Sequence, residues 1–322
     1  MAAQLSQLIK QFLEHLEIEK NRSAKTVRNY DFYLRRFSQW AGNPRPEEIN
    51  LEKVRQYRLY LNRLNDRFGE PLKRNTQNYH LIALRAFLKY LAKRDIKTMT
   101  AEKIELGKMP DRIVDFLEGS DLERLLEAPI KNQESGIRNQ EKDKLNLTQL
   151  RDKAILETLF STGLRVSELA SLKREQIKPD KEELTVRGKG AKPRAVFLSN
   201  QARYWIKKYL DGRNDVSPFL FVSHDAASSK RDDVSSGLTP RSMQRIVEKW
   251  AKAAGITKRI TPHTMRHSFA TDLLANGADL RSVQELLGHS SVTTTQIYTH
   301  ITNKHLREVY DAFHARKRKS SA

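Results

Sequence analysis

Residues 261–271 read Thr-Pro-His-Thr-Met-Arg-His-Ser-Phe-Ala-Thr (TPHTMRHSFAT). Thr261 followed by Pro262 is a helix start: a capping hydroxyl, then proline at the first helical position, where its missing N–H costs nothing. His263 and Arg266 are three apart and so share one face near the positive end of that helix. A guanidinium and an imidazole placed there suit the non-bridging oxygens of a phosphate. His267 lies four beyond His263, which raises a metal pair. The zinc-protease pattern H-E-x-x-H needs a glutamate directly after the first histidine, and here that residue is Thr264. No metal site is expected.

Three further settings extend the set in both directions. Upstream, TGLRVSEL (162–169) places Arg165 between the end of one helix and the start of another, where a planar fork can face two phosphate oxygens. The stretch RGKGAKPR (187–194) reads as a hairpin turn with Lys189 between two glycines and with Lys192 and Arg194 beside it as secondary phosphate contacts. Downstream, LLGHSS (286–291) places His289 after a helix-closing Gly288, and TTTQIYTH (293–300) carries Tyr298 on the next helix. Taken singly, each has a plain reading. Arg165 can be a surface arginine paired with Glu168, Lys189 a solvated turn residue, and Tyr298 part of a core.

The chain of 322 residues carries 59 Lys and Arg against 39 Asp and Glu, a formal charge of +20. The excess is shared: residues 1–115 hold 23 basic against 14 acidic residues, and 116–322 hold 36 against 25. Such a charge releases counterions from a polyanion, so both halves are expected to touch one nucleic acid. The absence of cysteine excludes disulfides, thiolate metal sites and thiol nucleophiles. The first 20 residues lack the apolar core of a signal peptide, and no apolar run approaches the ~20 residues that span a bilayer. A cytoplasmic, nucleoid-associated protein is expected.

Periodicity predicts a small helical bundle at the N-terminus. Leu5, Leu8, Ile9, Phe12, Leu13 and Leu16 form one stripe. Ser23 caps a second helix with Val27, Tyr30, Leu34, Phe37 and Trp40 inward, and Asn50 caps a third with Val54, Tyr57, Leu61 and Leu64. A fourth is predicted to turn Tyr79, Ile82, Phe87, Tyr90 and Leu91 inward. Basic residues on the outer faces, Lys25, Arg28, Arg35, Lys73, Arg74 and Arg85, are expected phosphate contacts. The predicted organisation is a helical DNA-binding domain over 1–106, a linker over 107–118, and a second domain over 119–322. In the second domain Ser120 or Asp121 caps the first helix, two short strands (184–187 and 194–198) form the hairpin, and polar surface loops occupy 129–148 and 223–238.

In order and combination these motifs resemble the tyrosine recombinases, the lambda-integrase family, and its Xer branch in particular. Arg165, Lys189, His263, Arg266, His289 and Tyr298 match the family's catalytic hexad, and SAKTVRNY (23–30) resembles the start of its core-binding domain, so the likeness covers nearly the whole chain. The resemblance implies a mainly α fold with a small β-sheet: a SAM-like core-binding bundle and an α/β catalytic domain, clamped around DNA in a C shape. It implies Tyr298 as nucleophile forming a 3′-phosphotyrosyl bond, Arg165 and Arg266 on the pentavalent phosphate, and Lys189 as general acid. His263 is implied as general base and His289 as a hydrogen-bond donor. Neither metal nor ATP nor another cofactor is implied.

The implied partners are duplex DNA with an inverted-repeat site and a homo- or hetero-tetramer acting through a Holliday junction. The tetramer would exchange a C-terminal segment at about 304–316 (KHLREVYDAFHAR), and a DNA translocase is a candidate activator. The implied role is resolution of chromosome dimers at a dif-like site. The alternatives are the integrase of a mobile element, suggested by the long polar stretches, a type IB topoisomerase-like enzyme, and a DNA-binding regulator without catalysis.

Overall fold

The computed structural model describes residues 4–66, 68–109, 116–117, 119–131, 145–178, 181–188, 193–224 and 237–288. The chain divides into two units, Met1–Asp111 and Arg112–Ala322. The first holds helices α1 (Leu5–Ile18), α2 (Ala24–Trp40), α3 (Leu51–Arg63) and α4 (Arg74–Ala92). Leu5, Leu8, Ile9, Phe12 and Leu16 of α1 are buried, and the Phe12 ring meets Phe87 edge-on at 5.5 Å. Ser23 accepts the Thr26 N–H and Asn50 the Lys53 N–H, each satisfying an orphan donor of the helix it opens. A 3-10 turn at Ala101–Lys103 adds Ala101 and Ile104 to the same core.

Helix α4 buries Phe87, Tyr90 and Leu91 as predicted but departs from the predicted phase over its first turns. Tyr79 and Ile82 are 52% and 37% exposed, whereas His80, Leu81, Leu84 and Leu88 are buried. The polar residues on the inner face explain the slip, because a hydropathy stripe passes them over. Asn78 bonds both the N–H and the carbonyl of Gly107 (3.0 and 2.9 Å), and His80 Nδ1 lies 3.0 Å from Tyr57 Oη. Burial, with Arg36 nearby, pushes the His80 pKa down to about 4. In the unfolded chain this imidazole binds its proton near pH 6.5. Between pH 6.5 and 4 the unfolded state therefore holds more protons, and stability falls as pH falls through that window, by about 3 kcal/mol from this group. His80→Gln is expected to flatten that part of the stability profile in urea titrations. An unchanged slope would show that His80 does not carry the acid sensitivity.

The second unit contains α5 (Gly119–Lys131), α6 (Leu147–Thr162), α7 (Val166–Ala170), the antiparallel strands β1 (Glu183–Arg187) and β2 (Pro193–Phe197), α8 (Asn200–Asp211), α9 (Pro240–Ala253), α10 (Pro262–Ala275) and α11 (Leu280–Leu287). The fold is thus mainly helical with a two-stranded sheet, as expected. Helix α5 already includes Ser120 and Asp121, so neither residue is its cap, and it runs through the buried Pro129 to Lys131, three residues into the expected loop. The other expected loop is pinned at its described ends by the Val222–Gly237 bridge and the buried Leu238.

Helix α6 is the axis of this unit, packed against α5, α8, α9, α10 and β2. A helix enclosed on every side must satisfy its polar groups internally. Asp152 receives Arg151 through two bonds and the Trp250 indole N–H at 2.8 Å. The Lys153 ammonium lies 2.8 Å from Glu157 and donates to the Leu126 carbonyl at 2.9 Å. Gly163 ends α6 at φ +57°.

Candidate active site

The reversal at Gly163 throws the chain out of α6 and makes Arg165 the N-cap of α7. A Cβ at Gly163 would overlap Phe269 Cδ1 and lie 2.8 Å from its Cε1. Gly163→Ala is therefore expected to cost about 2–4 kcal/mol, from overpacking together with the left-handed backbone. Urea unfolding measures this loss, and one below about 1 kcal/mol would mean that Phe269 can move aside.

Arg165 is bonded to Glu168 twice, from its backbone N–H to Oε2 and from Nη1 to Oε1, both at 2.9 Å. Its other terminal nitrogen donates to the Gly288 carbonyl at 3.0 Å, and the side chain remains 32% exposed. Among the described residues, guanidinium bonds to Glu168 and Gly288 engage two of its five N–H groups, on a cation that solvent reaches.

Arg266 is 3% exposed. Its terminal nitrogens donate to the Gly163 carbonyl and to the Leu287 carbonyl, the latter at 2.6 Å. One guanidinium thus ties together the C-terminal ends of α6 and α11. Arg194 donates from Nε to the Leu286 carbonyl at 3.1 Å and from both terminal nitrogens to Glu168 at 3.0 and 2.7 Å. Three arginines from three elements therefore sit on the successive carbonyls of Leu286, Leu287 and Gly288. Those carbonyls lack partners within α11 and form its negative end, which favours cations. Gly288, at φ +63°, closes α11, and the next residue is His289.

Burial disfavours a charge on Glu168, yet hydrogen bonds from Arg194 and from Arg165 outweigh it and hold its pKa at about 2. The carboxylate is ionised throughout the neutral range. On the first turn of α10, His263 is exposed and its Nε2 lies 2.8 Å from Nε2 of the buried His267. That contact fixes the imidazole one turn before Arg266.

Of the residues picked out by motif, the structure places Arg165 and Arg266 on one helix end, with His263 on the helix that carries Arg266. Lys189, Lys192, His289 and Tyr298 lie outside the described residues, as does the 304–316 segment. Arg194, expected as a phosphate contact, faces inward with a side chain 11% exposed. Sequence alone offers Glu168 only as the pairing partner of a surface Arg165. Its spacing from Arg165 is nevertheless legible as one half of a capping box, in which the N3 glutamate reaches back to the cap residue's N–H. The six N-terminal candidates lie on or beside α2 and α4. Lys25, Arg28, Lys73 and Arg74 are exposed, Arg35 pairs with Asp31, and Arg85 is partly buried. No acidic residue occurs between Arg74 and Ala92, so α4 presents only positive charge.

The phage integrase family matches residues 115–305, and the phage integrase N-terminal SAM-like domain matches residues 9–95. The chain is 37% identical over 307 residues to tyrosine recombinase XerC of Thermodesulfovibrio yellowstonii, covering 95% of each. It is also 37% identical over 310 residues to tyrosine recombinase XerD of Chlorobaculum tepidum, again covering 95% of each. Among solved structures it resembles the XerH site-specific recombinase bound to a palindromic difH substrate, with TM-score 0.68, 22% identity and coverage of 94% of this chain and 84% of the other. A lambda integrase dimer bound to a core site gives TM-score 0.67 at 16% identity, covering 92% and 77%. These two structural likenesses speak to the fold.

Proposed function

The chain belongs to the phage integrase family, and from that premise we propose that it is a Xer-like site-specific tyrosine recombinase that cuts and rejoins DNA strands. The observation that carries this reading is the seating of Arg165 and Arg266 on adjacent carbonyls directly before His289. Two fixed guanidiniums held about one residue apart can receive the two non-bridging oxygens of a phosphodiester. Their charge stabilises the pentavalent transition state without reorganisation.

Tyr298 attacks the scissile phosphorus, the bond to the 5′-oxygen breaks, and a 3′-phosphotyrosyl ester forms. His263 accepts the phenol proton, Lys189 protonates the leaving 5′-oxygen, and His289 donates to a phosphate oxygen. The ester conserves the phosphodiester, so attack by a partner strand's 5′-hydroxyl reverses the chemistry and completes the exchange with no ATP. Lys25, Arg28, Arg35, Lys73, Arg74 and Arg85 bind phosphates along the duplex, and Lys192 does so near the active site. Four protomers, of one or two kinds, act on two inverted-repeat sites through a Holliday junction, linked by the 304–316 segment, with a DNA translocase as activator. The names of the relatives, XerC and XerD, support chromosome-dimer resolution at a dif-like site over mobile-element integration. The reaction then belongs to the cytoplasmic nucleoid.

Trapping the protein on a nicked inverted-repeat duplex tests the proposal. The expected product is a covalent adduct whose DNA-linked tryptic peptide contains Tyr298, formed equally in the presence of chelator. No adduct, or linkage through another residue, would overturn it.

A further inference from the structure

We propose that Arg194 is a positioning residue for strand cleavage, holding Glu168 and the end of α11 so that Arg165 keeps its aim and its charge. This rests on the recombinase reading above. Four features of the described structure carry it.

The first is orientation. Nε and both terminal nitrogens of Arg194 are turned to the Leu286 carbonyl and to the two oxygens of Glu168. The second is how Glu168 is shared. Oε1 receives Arg165 Nη1 and Arg194 Nη1, at 2.9 and 3.0 Å. Oε2 receives the Arg165 backbone N–H and Arg194 Nη2, at 2.9 and 2.7 Å. One carboxylate thus serves two guanidiniums. A buried carboxylate facing Arg165 alone would neutralise the cation that the phosphate needs. With Arg194 on the same oxygens the group keeps a net positive charge, while Glu168 still fixes where Arg165 points.

The third feature is the helix end. Arg194, Arg266 and Arg165 take the successive carbonyls of Leu286, Leu287 and Gly288. Removing the first loosens the platform on which the other two are seated, immediately before His289. The fourth is the space made for it. A Cβ on Gly288 would lie 2.9 Å from Arg194 Cδ and 3.2 Å from its Nε. Glycine in the LLGHSS motif therefore both closes α11 and lets this arginine pass beneath.

The test separates positioning from phosphate binding and from mere folding. The probe is the inverted-repeat duplex that the wild-type protein selects from random sequence, nicked to trap the adduct. Arg194→Ala is expected to bind it with an unchanged salt slope while single-turnover cleavage falls ~100-fold, the scale of a misplaced catalytic group. Arg194→Lys recovers only part of that, since an ammonium cannot bridge both carboxylate oxygens and the carbonyl. The acid limb of the cleavage profile shifts to higher pH in Arg194→Ala, because Glu168 has lost its strongest hydrogen-bond partner. On a Glu168→Gln background the same change costs less than ~3-fold, since the residue it acts through is already altered.

A salt slope reduced by about one phosphate contact, with cleavage of the bound complex unchanged, would make Arg194 a DNA contact and overturn the proposal. Fully additive losses in the double variant would also overturn it. Should the alanine variant melt at the assay temperature, Arg194→Lys answers the same questions of slope, rate and pH limb. An absence of adduct from the wild-type chain would instead sink the recombinase reading itself.

Discussion

Tyr298→Phe is expected to leave binding to the inverted-repeat duplex unchanged and to abolish the covalent adduct, a loss of on the order of 10⁵-fold or more, as for removal of other catalytic nucleophiles. The substitution deletes one oxygen and keeps the ring. A phenol with a pKa near ~10 is a poor nucleophile at neutral pH unless cations and a base draw off its proton. In the proposed reaction the basic site built around Arg165 and Arg266 supplies the cations, and His263, 2.8 Å from His267, supplies the base. Nothing else in the proposed reaction replaces the bond from the tyrosine oxygen to phosphorus. Tyr310 is the next tyrosine in the sequence and the natural rival, so Tyr310→Phe is made in parallel and is expected to form adduct at the wild-type level. Denaturing gels of the trapped complex separate the two. A normal yield from Tyr298→Phe, or its loss from Tyr310→Phe alone, would reassign the nucleophile.

The chain's legibility follows from which interactions are local. Helices α1 to α3 could be read because their apolar residues recur at helical spacing and because Ser23 and Asn50 cap α2 and α3 within three residues. Helix α4 could be phased at Phe87, Tyr90 and Leu91 but not over its first turns, where Asn78 and His80 turn inward toward partners 29 and 23 positions away. The helix start at Thr261-Pro262 and the halt at Gly163 were visible for the same local reason. The chemical set was legible as motifs, but its electrostatic frame was not. Arg194 meets Glu168 across 26 positions and Arg165 meets Gly288 across 123. A sequence shows that an arginine follows a hairpin turn. Whether it faces DNA or a carboxylate is decided by tertiary approach.

Arg266→Ala is the second large effect, and it is expected to act on fold and chemistry together. At 3% exposure this guanidinium satisfies the Gly163 and Leu287 carbonyls. Its removal leaves two buried acceptors unpaired, at about 1–3 kcal/mol each, and opens a void between the ends of α6 and α11. The catalytic loss is about 10²–10³-fold in cleavage of bound duplex, the range for deleting one preorganised charge from a transition state.

Because lowered stability could by itself reduce the rate, Arg266→Lys separates the contributions. Lysine keeps the charge but presents it as a point rather than a fork, and it cannot span two carbonyls from different helices while still facing a phosphate. Arg266→Lys should therefore recover part of the melting temperature and little of the cleavage rate. The decisive measurement is single-turnover cleavage at a temperature where both variants are folded by circular dichroism. Full rescue by lysine would reduce Arg266 to a positive charge at a helix end. Wild-type cleavage by a folded Arg266→Ala chain would remove it from the chemistry altogether, and with it the argument that paired guanidiniums on adjacent carbonyls form the phosphate site.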